Sequence, residues 1–183
     1  PTLAPAGGFM NLSALKSPPF RSYVVSLHLA LNGFWAQRVI IGWLAWEMTG
    51  SAGFVGLVAF LNFFPTLFVS PLFGVFADRI DVRKGSILSY ALAGILSALF
   101  AGLCIFGSPT PVLLALFSFV TGVISSANHP MRMSLTPRLA PAGDLPSVVA
   151  ITSLNFNMSR LTGPAIGGLS LIHISEPTRQ HAI

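Results

Sequence analysis

The sequence predicts an all-α membrane protein of about five transmembrane helices. Of its residues, 53% are hydrophobic and only 8% charged, and mean hydropathy is +0.76. Apolar runs long enough to cross a bilayer follow one another along the chain, separated by short polar turns. A soluble domain carries roughly 25% charged residues, so this chain lacks the polar surface that water requires. A helix spanning the hydrocarbon core needs about 20 apolar residues.

Residues 1–22 read as an N-terminal lead. The first residue is Pro1, and Met10 opens a candidate start for a short cytoplasmic segment. The first span covers residues 23–48 and contains Arg38; Thr49, Gly50 and Ser51 make the turn after it. The second covers 52–77 and carries Pro65 and Pro71, which membrane helices tolerate because neighbours and hydroxyls satisfy the freed carbonyls. A charged turn, DRIDVRK, leads to a third span over 85–106. After GSPTP the fourth span begins near Val112 and loses its apolar character between Asn128 and Arg132. The loop PRLAPAGDLP precedes a fifth span starting near Val148, so residues 23–168 hold helices one to five.

The basic residues set the orientation. Lys16, Arg21, Arg79, Arg83, Lys84, Arg132 and Arg138 fall on one side, and the turns at 49–51 and 107–111 carry none. Cytoplasmic loops hold the excess of Lys and Arg, which puts the N-terminus inside a plasma membrane, the inner membrane in a bacterium. A formal charge of +5 could suggest nucleic acid, but the basic residues form short clusters between apolar runs, not one continuous face. The lipid bilayer is the expected partner, and nucleic acid is not.

Polar side chains inside the spans are the candidates for function. A charge near the bilayer centre costs at least about 2.5–3.5 kcal/mol on insertion scales, so Arg38 and Arg160 face a partner or a cavity. They would bind an anionic part of a substrate, form a salt bridge that switches between states, or sit in a permanent pair or hydrogen bond. At about 100° per residue, His28, Asn32, Trp35 and Gly42 share one stripe of the first span. Thr152, Asn155, Ser159 and Gly163 share another on the fifth. Both stripes would suit a cavity lined with spaced hydrogen-bonding groups. His28 reads as a packing histidine or as a proton relay, and Trp43 and Trp46 as interfacial anchors. No Asp or Glu lies deep in a span, so a coupling carboxylate would be Glu47 or lie elsewhere.

Catalytic patterns do not emerge. Cys104 stands alone in an apolar run, and no nucleophile–base pair, phosphate-cradling glycine loop or metal-ligand spacing occurs. An enzyme, a cofactor and a metal site are not expected.

The segment GVFADRIDVRK, at the cytoplasmic end of span two, resembles the signature of the major facilitator superfamily between its second and third helices. Gly74, Asp78, Arg79, Arg83 and Lys84 match, and Asp81 stands where a second glycine is usual. The resemblance implies that this cluster latches the cytoplasmic gate against an eleventh helix. GPAIGG resembles the fifth-helix motif of drug–proton antiporters through Gly163, Pro164, Gly167 and Gly168, with Ser159 in place of an upstream glycine. The glycines at 163 and 167 share a helix face and admit another backbone closely. The opening LKSPPFRSYVVSLHLALNGFWAQRVIIGWLAWEMTGSA is similar to the enterobactin-exporter-like branch. That resemblance extends to about Gly168 and implies a truncated twelve-helix fold whose C-terminal half is missing. The tail LSLIHISEPTR resembles one reading frame of a sequencing-library adapter, so residues 169–183, His173 and His181 among them, are set apart as non-native.

The expected function is a secondary active exporter of small molecules working by alternating access between two six-helix halves. The alternative is a membrane scaffold or assembly factor that keeps the same fold.

Overall fold

A computed structural model describes residues 13–77, 81–140 and 144–180, with the side chains of 74–77 and 173–180 excepted. A short 3-10 helix, Ser13–Lys16, leads into five α-helices: α1 Pro18–Thr49, α2 Ala52–Ala77, α3 Val82–Phe106, α4 Pro111–Arg138 and α5 Leu145–Gln180. No strand occurs among the described residues. Met10 lies outside them, as do Asp78 and Arg79.

Local chemistry sets the helix ends. Pro18 opens α1 and Pro111 opens α4, positions where the missing N–H would have no intrahelical partner anyway. Both helices therefore begin on a proline, and α1 starts five residues before the apolar run. Gly50 ends α1 at φ 60°, its N–H donating to the Trp46 carbonyl at 2.7 Å. That left-handed backbone suits glycine. Asp81, at φ −62° and ψ 102°, is the N-cap of α3, and its carboxylate accepts from the backbone N–H groups of Arg83 and Lys84. The residue that replaces the expected glycine thus starts the next helix. At Thr110 a hydroxyl caps α4 in the same way.

Helices α1 to α4 each include a stretch long and apolar enough to cross a membrane: Pro18–Thr49, Ala52–Phe73, Val82–Phe106 and Pro111–Arg138. The fourth continues as helix through Asn128 and Arg132, where the apolar run fades, because Ala127 and Met131 remain buried beside Val82. α5 is longer still, at 36 residues, but less apolar. Asn155, Asn157, Ser159, Arg160 and Thr162 interrupt its hydrophobic character, and several of them are turned toward α1.

α1 packs on α5 and α2 on α4; α3 lies against α4, and α1 also meets α2. Toward the end of α1 and the starts of α2 and α4, Ile41, Ala45, Val58, Leu114 and Phe117 form a core, with Phe100 stacked on Phe117 at 4.2 Å. At the opposite end Ala14, Phe20, Val148 and Ile151 form a second. There the Ser13 hydroxyl donates to the Asp144 carboxylate, and the Ala14 N–H donates to Ser147 Oγ at 3.3 Å. The short leading helix thus clips the start of α1 to the start of α5. Elsewhere large apolar side chains face outward, Leu67, Leu99 and Ile105 among them. In lipid such a surface carries no hydrophobic penalty.

Candidate functional site: an arginine–aromatic face and a polar α1–α5 seam

Two polar systems meet on α1. The first is the seam with α5. Asn155 Nδ2 donates to the Val24 carbonyl at 3.1 Å, which turns its Oδ1 toward His28 Nδ1 at 2.6 Å. An amide oxygen only accepts, so the His28 proton sits on Nδ1. Ser159 Oγ lies 3.0 Å from the same nitrogen and accepts from Asn32 Nδ2 at 3.3 Å. Asn32 Nδ2 also donates to the His28 carbonyl at 2.9 Å, and Thr162 donates to Asn32 Oδ1 at 2.6 Å.

One turn further along, the two backbones come together. A β-carbon at Gly163 would meet the Asn32 carbonyl at 2.9 Å, and one at Gly167 would meet the Ala36 carbonyl at 3.0 Å. Gly168 has open space around it. Pro164 follows Gly163 within the unbroken helix α5. The structure therefore brings His28, Asn32, Asn155 and Ser159 together and pairs them with one another across the two helices. Gly42 lies apart, with nothing within 4 Å of its would-be β-carbon.

The second system is a set of arginines over aromatic rings. Arg38 Cζ stands 3.7 Å from the Phe63 ring centre, 5.1 Å from that of Phe34 and 5.6 Å from that of Trp35. Arg160 Cζ lies over the other side of the set, 5.7 Å from the Trp35 ring. Trp35 meets Phe156 edge-on at 6.0 Å, and Arg132 Cζ is 5.3 Å from Phe156. Desolvated cation–π contacts contribute up to about 2 kcal/mol each. Trp35 Nε1 is buried without an acceptor among the described residues, and such a donor costs about 1–3 kcal/mol until one is supplied.

These residues come from α1, α2, α4 and α5; none comes from α3. Sequence reasoning selected Arg38 and Arg160 by depth but missed Arg132, which sits near a helix end and reads there as a topology signal. It also missed Phe63 and Phe156, whose types are ordinary in an apolar run. The only available signal was helical phasing: Phe156 lies four residues before Arg160, on the same face.

At the turn before α3 Arg83 and Lys84 are exposed, with their backbone N–H groups on Asp81. Gly74 lies within α2, its surroundings outside the described side chains. No group of three or more potential metal ligands occurs among the described residues.

Residues 10–179 match the family described as transmembrane secretion effector, of the major facilitator type. The chain is 31% identical over 169 residues to the enterobactin exporter EntS of Shigella boydii, covering 88% of this chain and 39% of that protein. It is equally similar, 31% over 179 residues, to EntS of Escherichia coli O127:H6. With the staphyloferrin A transporter of Staphylococcus aureus it shares 26% over 156 residues, 84% of this chain and 39% of the relative. The chain thus spans about two-fifths of the length of these relatives. No solved structure matches it. An all-helical chain with membrane-length apolar helices and a family match over most of its residues is an integral membrane protein, and it belongs to the transmembrane secretion effector family of major facilitator transporters.

Proposed function

We propose that the chain is the N-terminal part of a secondary active exporter of small molecules, working by alternating access. On this reading it lies in a bacterial inner membrane with its N-terminus in the cytoplasm. The observation that carries the proposal is the pair of guanidinium groups at Arg38 and Arg160, deep in their helices and over aromatic rings. Charges at that depth belong to a cavity or a protein partner and not to lipid. The face made by α1, α2, α4 and α5 then forms one wall of a substrate cavity, and a C-terminal half forms the other.

The remaining parts follow from the family likeness. Gly74, Asp78, Arg79, Arg83 and Lys84 act as a latch at the cytoplasmic mouth. Gly163 and Gly167 set the packing of α5 on α1, and Pro164 and Gly168 complete the same motif. His28, Asn32, Asn155 and Ser159 line or support the cavity beside Arg38 and Arg160. Residues 1–22 are the lead and 23–168 the helices of the N-terminal bundle; on the separate ground of the adapter resemblance, 169–183 are a non-native tail and the native gene departs from this sequence near Leu169.

Flux measurement tests the proposal. The complete reading frame carrying this chain, reconstituted in proteoliposomes, should move enterobactin or staphyloferrin A, the compounds named for its relatives, or another small molecule under a proton gradient. Arg38→Gln and Arg160→Gln should lower that flux at equal insertion. No gradient-driven flux from correctly inserted protein would leave a membrane scaffold or assembly factor as the function.

A further inference from the structure

The carrier reading leaves the substrate open, and the arginine–aromatic set narrows it. Arg132 lies six residues before the end of α4, about 9 Å along the helix at 1.5 Å per residue. Arg160 lies fifteen residues into α5, about 22 Å from its start, and Arg38 twenty residues into α1, about 30 Å. The three cations therefore stand at different depths, on three helices. Rings join them in series: Arg132 on Phe156, Phe156 against Trp35, Trp35 shared by Arg160 and Arg38, and Arg38 on Phe63.

The chemistry of each contact matters more than the count. A guanidinium is a planar fork with five N–H donors in its plane. At 3.7 Å the Phe63 ring is in stacking contact with Arg38, so it occupies a face and leaves the donor edge free. Among the described residues no carboxylate or hydrogen-bond acceptor holds any of the three guanidiniums; aromatic rings are the contacts of Arg38 and Arg160, and Arg132 interacts electrostatically with Tyr23, Tyr90 and His129 besides its ring contact. Their forks are held in orientation and not consumed. The nearby indole N–H of Trp35 is a further donor with no acceptor among the described residues.

We propose that this series is a binding track for a small molecule bearing two or more acidic groups together with a planar ring. The acids engage the guanidinium edges two oxygens at a time, a geometry Arg offers and Lys does not. The ring of the ligand slots among Phe34, Trp35, Phe63 and Phe156, where face and edge contacts are already in use. Spacing along the membrane normal lets one acid be released to one arginine as the next is reached, so the ligand is passed inward or outward without a bare charge in hydrocarbon. A neutral or cationic compound finds no match there. The proposal rests on the carrier reading but can fail separately from it.

The test is equilibrium binding to the complete transporter in lipid nanodiscs, using three labelled probes. Benzene-1,3,5-tricarboxylate carries ring and charge, propane-1,2,3-tricarboxylate charge alone, and benzene-1,3,5-tricarboxamide the ring alone. The aromatic trianion should bind at least tenfold more tightly than either of the others, and more weakly as salt rises. Arg132→Gln and Arg160→Gln should each weaken it about tenfold or more. Arg160→Lys, which keeps the charge and guards against misfolding, should fall between wild type and Gln. Phe156→Leu should weaken the aromatic trianion while sparing the aliphatic one. Equal binding of the neutral triamide, or unchanged affinity in the arginine variants, would overturn the proposal. So would no trianion binding with loss of thermal stability in those variants, which would assign the arginines to carboxylates elsewhere in the protein. Flux of other compounds without trianion binding would defeat this inference alone; trianion binding without any flux would defeat the carrier reading alone.

Discussion

Gly163 of α5 rests against Trp35 of α1 so closely that a β-carbon on the glycine would stand 2.6 Å from the Trp35 Cβ. Contact at that distance does not occur between real β-carbons, so any side chain at 163 forces the two helices apart. Gly163→Ala should destabilise the bundle by about 1–3 kcal/mol, the usual cost of overpacking, and Gly163→Val by more. Gly168→Ala, with nothing within 4 Å of the new atom, should have almost no effect. Thermal unfolding in detergent measures both, and equal losses at the two positions would contradict the close approach.

The hydrogen bonds at His28 fix a tautomer. Asn155 Oδ1 accepts at 2.6 Å while its amide nitrogen is committed to the Val24 carbonyl, so the neutral ring carries its proton on Nδ1. Nitrogen-15 spectra of ring-labelled protein should show Nδ1 protonated. Asn155→Leu should release that preference and destabilise the α1–α5 seam by about 0.6 kcal/mol, and at most about 1.7, the range for interhelical bonds in membranes. An Nε2-protonated ring in wild type would mean the seam is bonded differently.

Asp81 should behave as a helix cap. Its carboxylate accepts from the Arg83 and Lys84 N–H groups, and replacing a capping Asp by Ala costs about 0.5–2 kcal/mol. Asp81→Asn should retain most of the stability, and Asp81→Gly should lose only a few tenths of a kcal/mol. Hydrogen exchange at the start of α3 reports the change locally; uniform exchange across all three variants would remove the cap from the account.

The latch proposed at the cytoplasmic mouth makes a kinetic prediction. A contact present only while the mouth is closed shifts a two-state equilibrium when it is lost. With a coupling of roughly 1–3 kcal/mol, populations change about 5- to 150-fold. Asp78→Asn in the complete protein should therefore insert normally but transport slowly, with the inward-open state favoured. Transport at the wild-type rate and equal expression would reduce the motif to a topology signal.

Orientation is open to direct labelling. Arg83→Cys and Ser17→Cys should react with an impermeant thiol reagent only from the cytoplasmic side, and Ser51→Cys only from the other. A Cys104→Ala background removes the native thiol. Reversed labelling of the 83 and 51 variants would invert the topology drawn from the basic residues.

Much of the architecture was legible because the bilayer simplifies the problem. A run such as residues 85–106 has one stable fate in hydrocarbon, since every backbone donor must be satisfied within the segment. The paired stripes on α1 and α5 were visible for the same reason: polar residues are rare there, and their phase is easily read. What periodicity does not reveal is which stripe faces which. His28 and Asn155 were both assigned to a cavity lining, yet they are joined in the structure, because two polar stripes of matched spacing satisfy each other. Arg132 escaped notice because basic residues near helix ends mark topology, and only its contact with Phe156 distinguishes it. Asp81 looked like a broken motif, and its capping role depends on a turn geometry that spacing alone does not encode.

The seam between α1 and α5 also dictates a timetable. His28 and Asn32 bond to residues 127 to 131 positions later in the chain, so their partners do not yet exist when α1 leaves the ribosome. At about 5–20 residues per second, the first helix waits roughly 6–25 s before α5 is made. During that interval the His28 imidazole and the Asn32 amide have no seam to enter, and water or the insertion machinery must solvate them. α2 and α4, whose bonds span only about half that separation, can close first. Biogenesis therefore runs from the middle of this chain outward, and mutations in the seam should appear as retention or degradation of a half-assembled bundle before they appear as a lost activity.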